Sequence, residues 1–138
     1  MIANRYFSRE GLGEEQAPKK GLGVHIILEL YNCDPKVLNH PERIEEILLK
    51  AAKAARLKII DLKTHQFSPY GVTSLLLISE SHLSIHTWPE YNFAAADIFI
   101  CGKEAGEAAE IIIQGLKPGR MEVLELVRGT DIEAEEDE

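Results

Sequence analysis

The sequence predicts an α+β fold, a two-layer sandwich in which a mostly antiparallel sheet carries two helices on one face. Three observations lead there. Strand-like and helix-like runs follow one another in the order β-α-β-β-β-β-α-β over 138 residues. The middle strands are spaced closely enough to favour antiparallel hairpins. Both helical runs carry one apolar face, rich in alanine, as helices packed on a sheet do.

Residues 1–21 show no clean period and contain Gly11, Gly13, Pro18 and Gly21. They read as a flexible N-terminal extension. The domain proper spans 22–128 and opens with a strand at 24–31, apolar and β-branched apart from His25 and Glu29. These two share parity, so they project from one face, either as a polar pair at the sheet surface or as site residues. Asp34-Pro35 starts a short helical turn. Pro41 opens a helix to about Arg56, with Ile44, Ile47, Leu48, Ala51, Ala52 and Ala55 on its apolar face. Glu45, Glu46, Lys50 and Lys53 face water, and Glu46 and Lys50 have the spacing of a favourable i,i+4 pair.

A strand at 57–67 alternates Leu57, Ile59 and Asp61 against Lys58, Ile60 and Leu62. Ser68-Pro69-Tyr70-Gly71 is a turn, followed by strands at 72–79 and 81–87. Pro89 breaks the pattern, which resumes at 93–101 and ends at Gly102. Ala105, Ala108, Ala109 and Ile112 mark the second helix, closed by Gly115 and Pro118, and 120–127 is the last strand. Residues 129–138 form an acidic tail. A small sheet with helices on one side leaves its other face uncovered, so a homodimer is expected.

Composition excludes several functions. The formal net charge is -8, but six of the last eight residues are acidic, so the body is nearly balanced. Without a basic patch interleaved with aromatics, nucleic acid is not an expected partner. No apolar run reaches the roughly 20 residues that span a bilayer. The N-terminus is charged where a signal peptide needs an apolar core. Cys33 and Cys101 have neither metal-type spacing nor a disulfide framework, and suit a reducing, cytoplasmic setting.

One stretch, 79–101, concentrates hydroxyls, two histidines, carboxylates, an indole and a thiol between strand-like runs. Burying so many polar groups is costly unless they are satisfied, which points to chemistry. On a straight strand Thr73, Ser79 and Ser81 have one parity, while Glu80, His82, Ser84, His86 and Trp88 have the other. Ser81 and His86 then lie on opposite faces, and parity alone gives no triad. A metal site on His82 and His86 is disfavoured, because four residues of strand separate them by about 13 Å. A Cys101–His86 nucleophile pair and a reactive Glu80-Ser81 peptide bond both remain open.

Glu80-Ser81-His82-Leu83-Ser84-Ile85-His86-Thr87-Trp88-Pro89-Glu90-Tyr91, with Ala95-Ala96-Asp97 and Cys101-Gly102, closely resembles the prokaryotic S-adenosylmethionine decarboxylase proenzymes. Pro69-Tyr70-Gly71-Val72-Thr73 looks like that family's hairpin. Gly23-Val24-His25, Glu29, Tyr31 and Cys33-Asp34 look like its first strand. The resemblance implies a small pyruvoyl-dependent enzyme of polyamine synthesis, and a homodimer of cleaved protomers. It implies self-cleavage between Glu80 and Ser81 into a β chain (1–80) and an α chain (81–138). On that resemblance Ser81 Oγ would attack the Glu80 carbonyl carbon to give an ester. Elimination would expel the Glu80 carboxylate and leave a dehydroalanine, and hydrolysis with loss of ammonia would make the pyruvoyl group on the new N-terminus.

His86 is implied as the proton acceptor in processing, a role that suits histidine as a side-chain type, whose unperturbed pKa is about 6.5. Thr73 stands where the family places a serine hydroxyl, and its extra methyl restricts χ1. The pyruvoyl carbonyl forms a Schiff base with the substrate amine and takes up electrons as carbon dioxide leaves. Cys101 is implied as the proton donor in catalysis. For a sulfonium substrate, Phe67 and Trp88 offer π faces and Glu90 a carboxylate, although Trp88 reads equally as a core anchor. His82 and Asp97 read as shaping the fold. Pyruvoyl-dependent arginine or ornithine decarboxylation is the alternative, and a non-enzymatic binding homologue a further one.

Overall fold

The computed structural model describes residues 5–8, 21–101, 104–130 and 132. Its elements are β1 (Arg5–Ser8), β2 (Gly23–Tyr31), α1 (Pro35–Leu38), α2 (Pro41–Ala54), β3 (Lys58–Gln66), β4 (Val72–Ser79), β5 (Ser81–Trp88), β6 (Phe93–Ile100), α3 (Ala105–Leu116) and β7 (Arg120–Arg128), with a 3-10 turn at Pro89–Tyr91. The strands make one sheet in the order β1-β7-β2-β6-β5-β4-β3. Every neighbouring pair is antiparallel.

Strict alternation builds the core. Val72, Ser74, Leu76 and Ile78 of β4 point inward, as do Leu83 and Ile85 of β5, and Ala94, Ala96, Ile98 and Ile100 of β6. They meet Ile44, Ile47, Leu48, Ala51 and Ala52 of α2, and Ala105, Ala108, Ala109, Ile112 and Leu116 of α3. Alanines at three- and four-residue spacing let α2 and α3 sit close to the sheet. The predicted two-layer architecture is thus observed, with both long helices on one face.

Local signals explain the helix ends. Asp34 accepts a hydrogen bond from the Lys36 amide at 2.9 Å, and His40 Nδ1 accepts one from the Arg43 amide at 3.3 Å. The first long helix stops at Ala54, two residues early, where Ala55 caps it and Arg56 turns left-handed (φ 58°). Glu46 pairs with Arg43 at 2.7 Å, one turn earlier than the expected Lys50.

Three readings need correcting. The extension contributes β1, an edge strand on β7, where no element was expected. The rest of 1–20, Gly102 and most of the acidic tail lie outside the described residues. The register of β3 shifts between Ile59 and Asp61. Ile59 pairs with Ile78 and Leu62 with Leu76, so two residues of opposite parity share the inner face, as a bulge allows. Gly115 does not close the second helix; Lys117 does, at φ 49°. Gly115 is instead a contact point, because a Cβ there would stand 2.7 Å from Ile47 Cγ1.

Candidate active site

The face of the sheet away from the helices is open, and cross-strand register arranges its side chains in rows. Beyond the strand ends stands Cys101; then His82, Phe99 and His25; then Leu75, Ser84, Asp97 and Ile27; then Thr73, His86, Ala95 and Glu29; and last Trp88 and Phe93. Successive rows on one face are about 7 Å apart.

At one end, Ser79 and Glu80 form the two-residue connection between β4 and β5, since Ile78 pairs with Ser81. Ser81 is half-buried and has φ 114°, a region that side-chain-bearing residues seldom occupy. It also pairs with Ile100, the residue before Cys101. The Cys101 thiol donates to Glu80 Oε1 at 3.7 Å. Cys101 is exposed as a residue, yet partial desolvation of the thiol, then the charge and hydrogen bond of Glu80, push its pKa up. Cys33 differs: it is buried, donates to the Leu30 carbonyl at 3.6 Å, and desolvation raises its pKa to about 11.

At the other end, Thr73 Oγ1 and His86 Nδ1 are hydrogen-bonded at 3.0 Å, which fixes the ring and leaves Nε2 for other work. Beside them, Phe67 is exposed and stacked edge-on against His65, with ring centroids 4.6 Å apart. Its amide donates to the Gly71 carbonyl at 2.8 Å, closing the turn that presents it. Gly71 takes φ 108° there, and Asn39 Oδ1 accepts its amide at 3.0 Å. The buried Thr87 Oγ1 accepts from the Val72 amide at 2.9 Å and donates to the Leu38 carbonyl at 2.7 Å. Trp88 leans on Phe93 at 5.5 Å but stays 39% exposed, so it is not a core anchor. Glu90 is exposed on the 3-10 turn.

The expected site residues therefore fall into two groups. Glu80, Ser81 and Cys101 stand together, and Thr73 and His86 stand together near Phe67, Trp88 and Glu90. Five residues of extended chain hold Ser81 about 17 Å from His86, so the two do not meet within one chain.

Between the groups lies a network whose partners the sequence did not reveal. Asp97 joins His25 Nε2 at 3.0 Å through Oδ1, and accepts from Ser84 Oγ at 3.2 Å through Oδ2. Register explains it: Asp97 pairs opposite Ser84 on one side and Ile27 on the other. One row on, Glu29 faces Glu122. Desolvation, then the charges of Asp97 and Glu122, raise the Glu29 pKa. Parity showed that His25 and Glu29 share a face, but not that Asp97 binds one and repels the other.

A family model described as S-adenosylmethionine decarboxylase matches residues 24–129. A protein of Methanococcus maripaludis named S-adenosylmethionine decarboxylase proenzyme is 47% identical over 112 residues, covering 80% of this chain and 92% of its own. One of the same name from Thermodesulfovibrio yellowstonii is 44% identical over 110 residues, covering 78% and 82%. The crystal structure of the adenosylmethionine decarboxylase from Aquifex aeolicus superposes with a TM-score of 0.79 at 39% identity, covering 86% of this chain and 99% of that one. The chain belongs to the S-adenosylmethionine decarboxylase family, and so to the carboxy-lyases. The arginine and ornithine alternatives find no support among these relatives.

Proposed function

We propose that the chain is a proenzyme that cuts itself between Glu80 and Ser81, and then decarboxylates S-adenosylmethionine to S-adenosylmethioninamine, the aminopropyl donor for spermidine and other polyamines. The observation that carries this reading is Ser81 itself. It starts β5 at φ 114°, directly after the two-residue turn, opposite Ile100, and the Cys101 thiol contacts its neighbour Glu80. A residue held in so sparse a region costs about 1–3 kcal/mol, which cutting the chain on its N-terminal side releases. Ser81 Oγ attacks the Glu80 carbonyl carbon, and the C–N bond breaks as the hydroxyl proton passes through a base to the freed amine. The chain opens when elimination across the Ser81 Cα–Cβ bond expels the Glu80 carboxylate from the ester.

A pyruvoyl group made from Ser81 fits these residues, because the parent hydroxyl and a flanking proton donor stand together at the strand ends. It supplies an electron sink for the departing carboxylate. Cys101 delivers a proton to the α-carbon. His86, with Thr73 on Nδ1, is the base for processing. Since it is about 17 Å from Ser81 in its own chain, it acts in a homodimer. Two open faces stacked with their strands reversed bring the Ser81 end of each protomer to the His86 end of the other. Exposed Leu75, Leu77 and Phe67 on this side of the hairpin supply apolar surface for that contact. Phe67, Trp88 and Glu90 then reach the substrate's sulfonium and ribose across the interface. No described helix is long and apolar enough to cross a membrane. Two free thiols fit a cytoplasmic setting.

Intact-protein mass is the test, with decarboxylation assayed on S-adenosylmethionine, arginine and ornithine in parallel. Two fragments meeting at Glu80/Ser81, the second with a blocked N-terminus, are expected. Ser81→Ala should remain one inactive chain near 15.4 kDa, and complete cutting of that variant refutes the mechanism. Co-expressing His86→Ala with Ser81→Ala should restore cutting of the His86→Ala chain. No restored cutting would return the histidine to its own protomer.

A further inference from the structure

We propose that Glu80, beyond supplying the carbonyl at the cleavage site, is a positioning residue for catalysis: its side-chain carboxylate holds the Cys101 proton in place for delivery to the substrate. The inference rests on the proposed role of Cys101 and adds a residue to it. Its basis is geometric. Cys101 Sγ–H points at Glu80 Oε1 across 3.7 Å, joining two elements 21 residues apart.

The thiol's hydrogen-bond partner among the described residues is Glu80. Among the described residues, the charged and titratable groups near this end are few. Lys58 of β3 pairs opposite Ser79, one residue before Glu80. Arg128 of β7, His25 of β2 and His82 of β5 all lean on Phe99, two residues back from Cys101, at 5.3, 5.6 and 6.0 Å, and Glu104 caps α3 three residues beyond it. Leu22 and Gly23, at the start of β2, bring no charge. Partial desolvation, then the charge and hydrogen bond of Glu80, favour the neutral thiol.

The contact can outlast the cut. After cleavage Glu80 ends a strand that stays laddered to β3 on one side and β5 on the other, through Ile78 paired with both Ile59 and Ser81. A donor near its working pH loses efficiency when it arrives deprotonated. A carboxylate beside the sulfur keeps the donor loaded. It also makes the thiolate left by proton transfer unstable, so the thiolate recovers a proton from solvent before the next turnover.

The test begins with the uncut precursor, so that it does not depend on activity. Alkylation of Cys101 by iodoacetamide is followed by peptide mass from neutral to alkaline pH, in Ser81→Ala and in Ser81→Ala with Glu80→Gln. The double variant should titrate at lower pH and alkylate severalfold faster near neutrality, while the Cys33 peptide is unchanged. Coincident titrations overturn the proposal. In mature Glu80→Gln enzyme, the alkaline limb of kcat should move down in pH with KM little altered. A thiol that shifts while this limb stays still removes Cys101 as the donor, and Glu80 loses its catalytic use. An enzyme whose precursor never cuts leaves the alkylation result to decide the contact.

Discussion

Thr73→Val is the most informative single change. Valine keeps the β-branch and the volume, so it subtracts one hydroxyl and the 3.0 Å hydrogen bond to His86 Nδ1. In the resting protein that bond joins two half-buried groups and contributes about 0.5–1.5 kcal/mol. While His86 carries the Ser81 proton the ring is charged, and a hydrogen bond to a charged group is worth about 1.5–3 kcal/mol. Only the difference, about 1–1.5 kcal/mol, bears on the rate, so at about 1.4 kcal/mol per tenfold self-cleavage should slow by roughly 5- to 10-fold. Thermal stability should change little. The assay is a time course of fragment appearance from freshly made precursor, read by intact mass. Thr73→Ser should restore the rate, since the hydroxyl is what matters. A Thr73→Val precursor that cuts as fast as the parent would falsify the assignment of this pair to processing.

The other expectations concern turnover, pH and stability. Cys101→Ala should still cut but lose most decarboxylation, and an unaltered kcat would move the proton donor elsewhere. Glu29 has a folded pKa above its ordinary value, so the fold favours its protonated form. Stability therefore falls as pH rises from the unfolded pKa, near 4.5, through the folded one. Glu29→Gln should thus raise the melting temperature at neutral pH and lose that advantage in acid. A gain that persists in acid would assign the effect to something other than charge. Thr87→Val strips two buried hydrogen bonds and leaves the Val72 amide and Leu38 carbonyl short of partners. A loss of about 1–3 kcal/mol for each group left unsatisfied should appear in denaturant melts, and a neutral variant would show that water replaces the hydroxyl.

Legibility from sequence tracked how local each signal was. The inward series Val72, Ser74, Leu76 and Ile78 declares itself by period, and the Asp34-Pro35 start by capping chemistry. The strand at Arg5–Ser8 was missed because four residues carry no period, and the β7 edge gives them their place. Ile60 defeated strict alternation, since a bulge adds one residue that the pattern counts as a step. Gly115 was read as a stop because glycine often ends helices, whereas the reason here is Ile47 on another element.

The reactive residues stood out as a motif, but their grouping did not. That His25 meets Asp97 and Cys101 meets Glu80 follows from which strands are neighbours and in what register. The order β2-β6-β5-β4 is a long-range property that no window of sequence contains.

The strand order has a further consequence for the life of the molecule. A cut at Glu80 assigns β1, β2, β3 and β4 to one piece and β5, β6 and β7 to the other. Yet β7 sits between β1 and β2, and β2 between β7 and β6. The two products are threaded through one another, and their helices α2 and α3 share one core. Neither piece holds more than a two-stranded ladder of its own, β3–β4 in one and β5–β6 in the other. The chain therefore has to finish folding while it is still continuous. Once cut, it would be an assembly of interdigitated strangers: what a single chain finds by searching itself, two must find by collision, so recovery after unfolding would depend on dilution. The cut turns a fold that is reached reversibly into one kept mainly by the height of the barrier to leaving it.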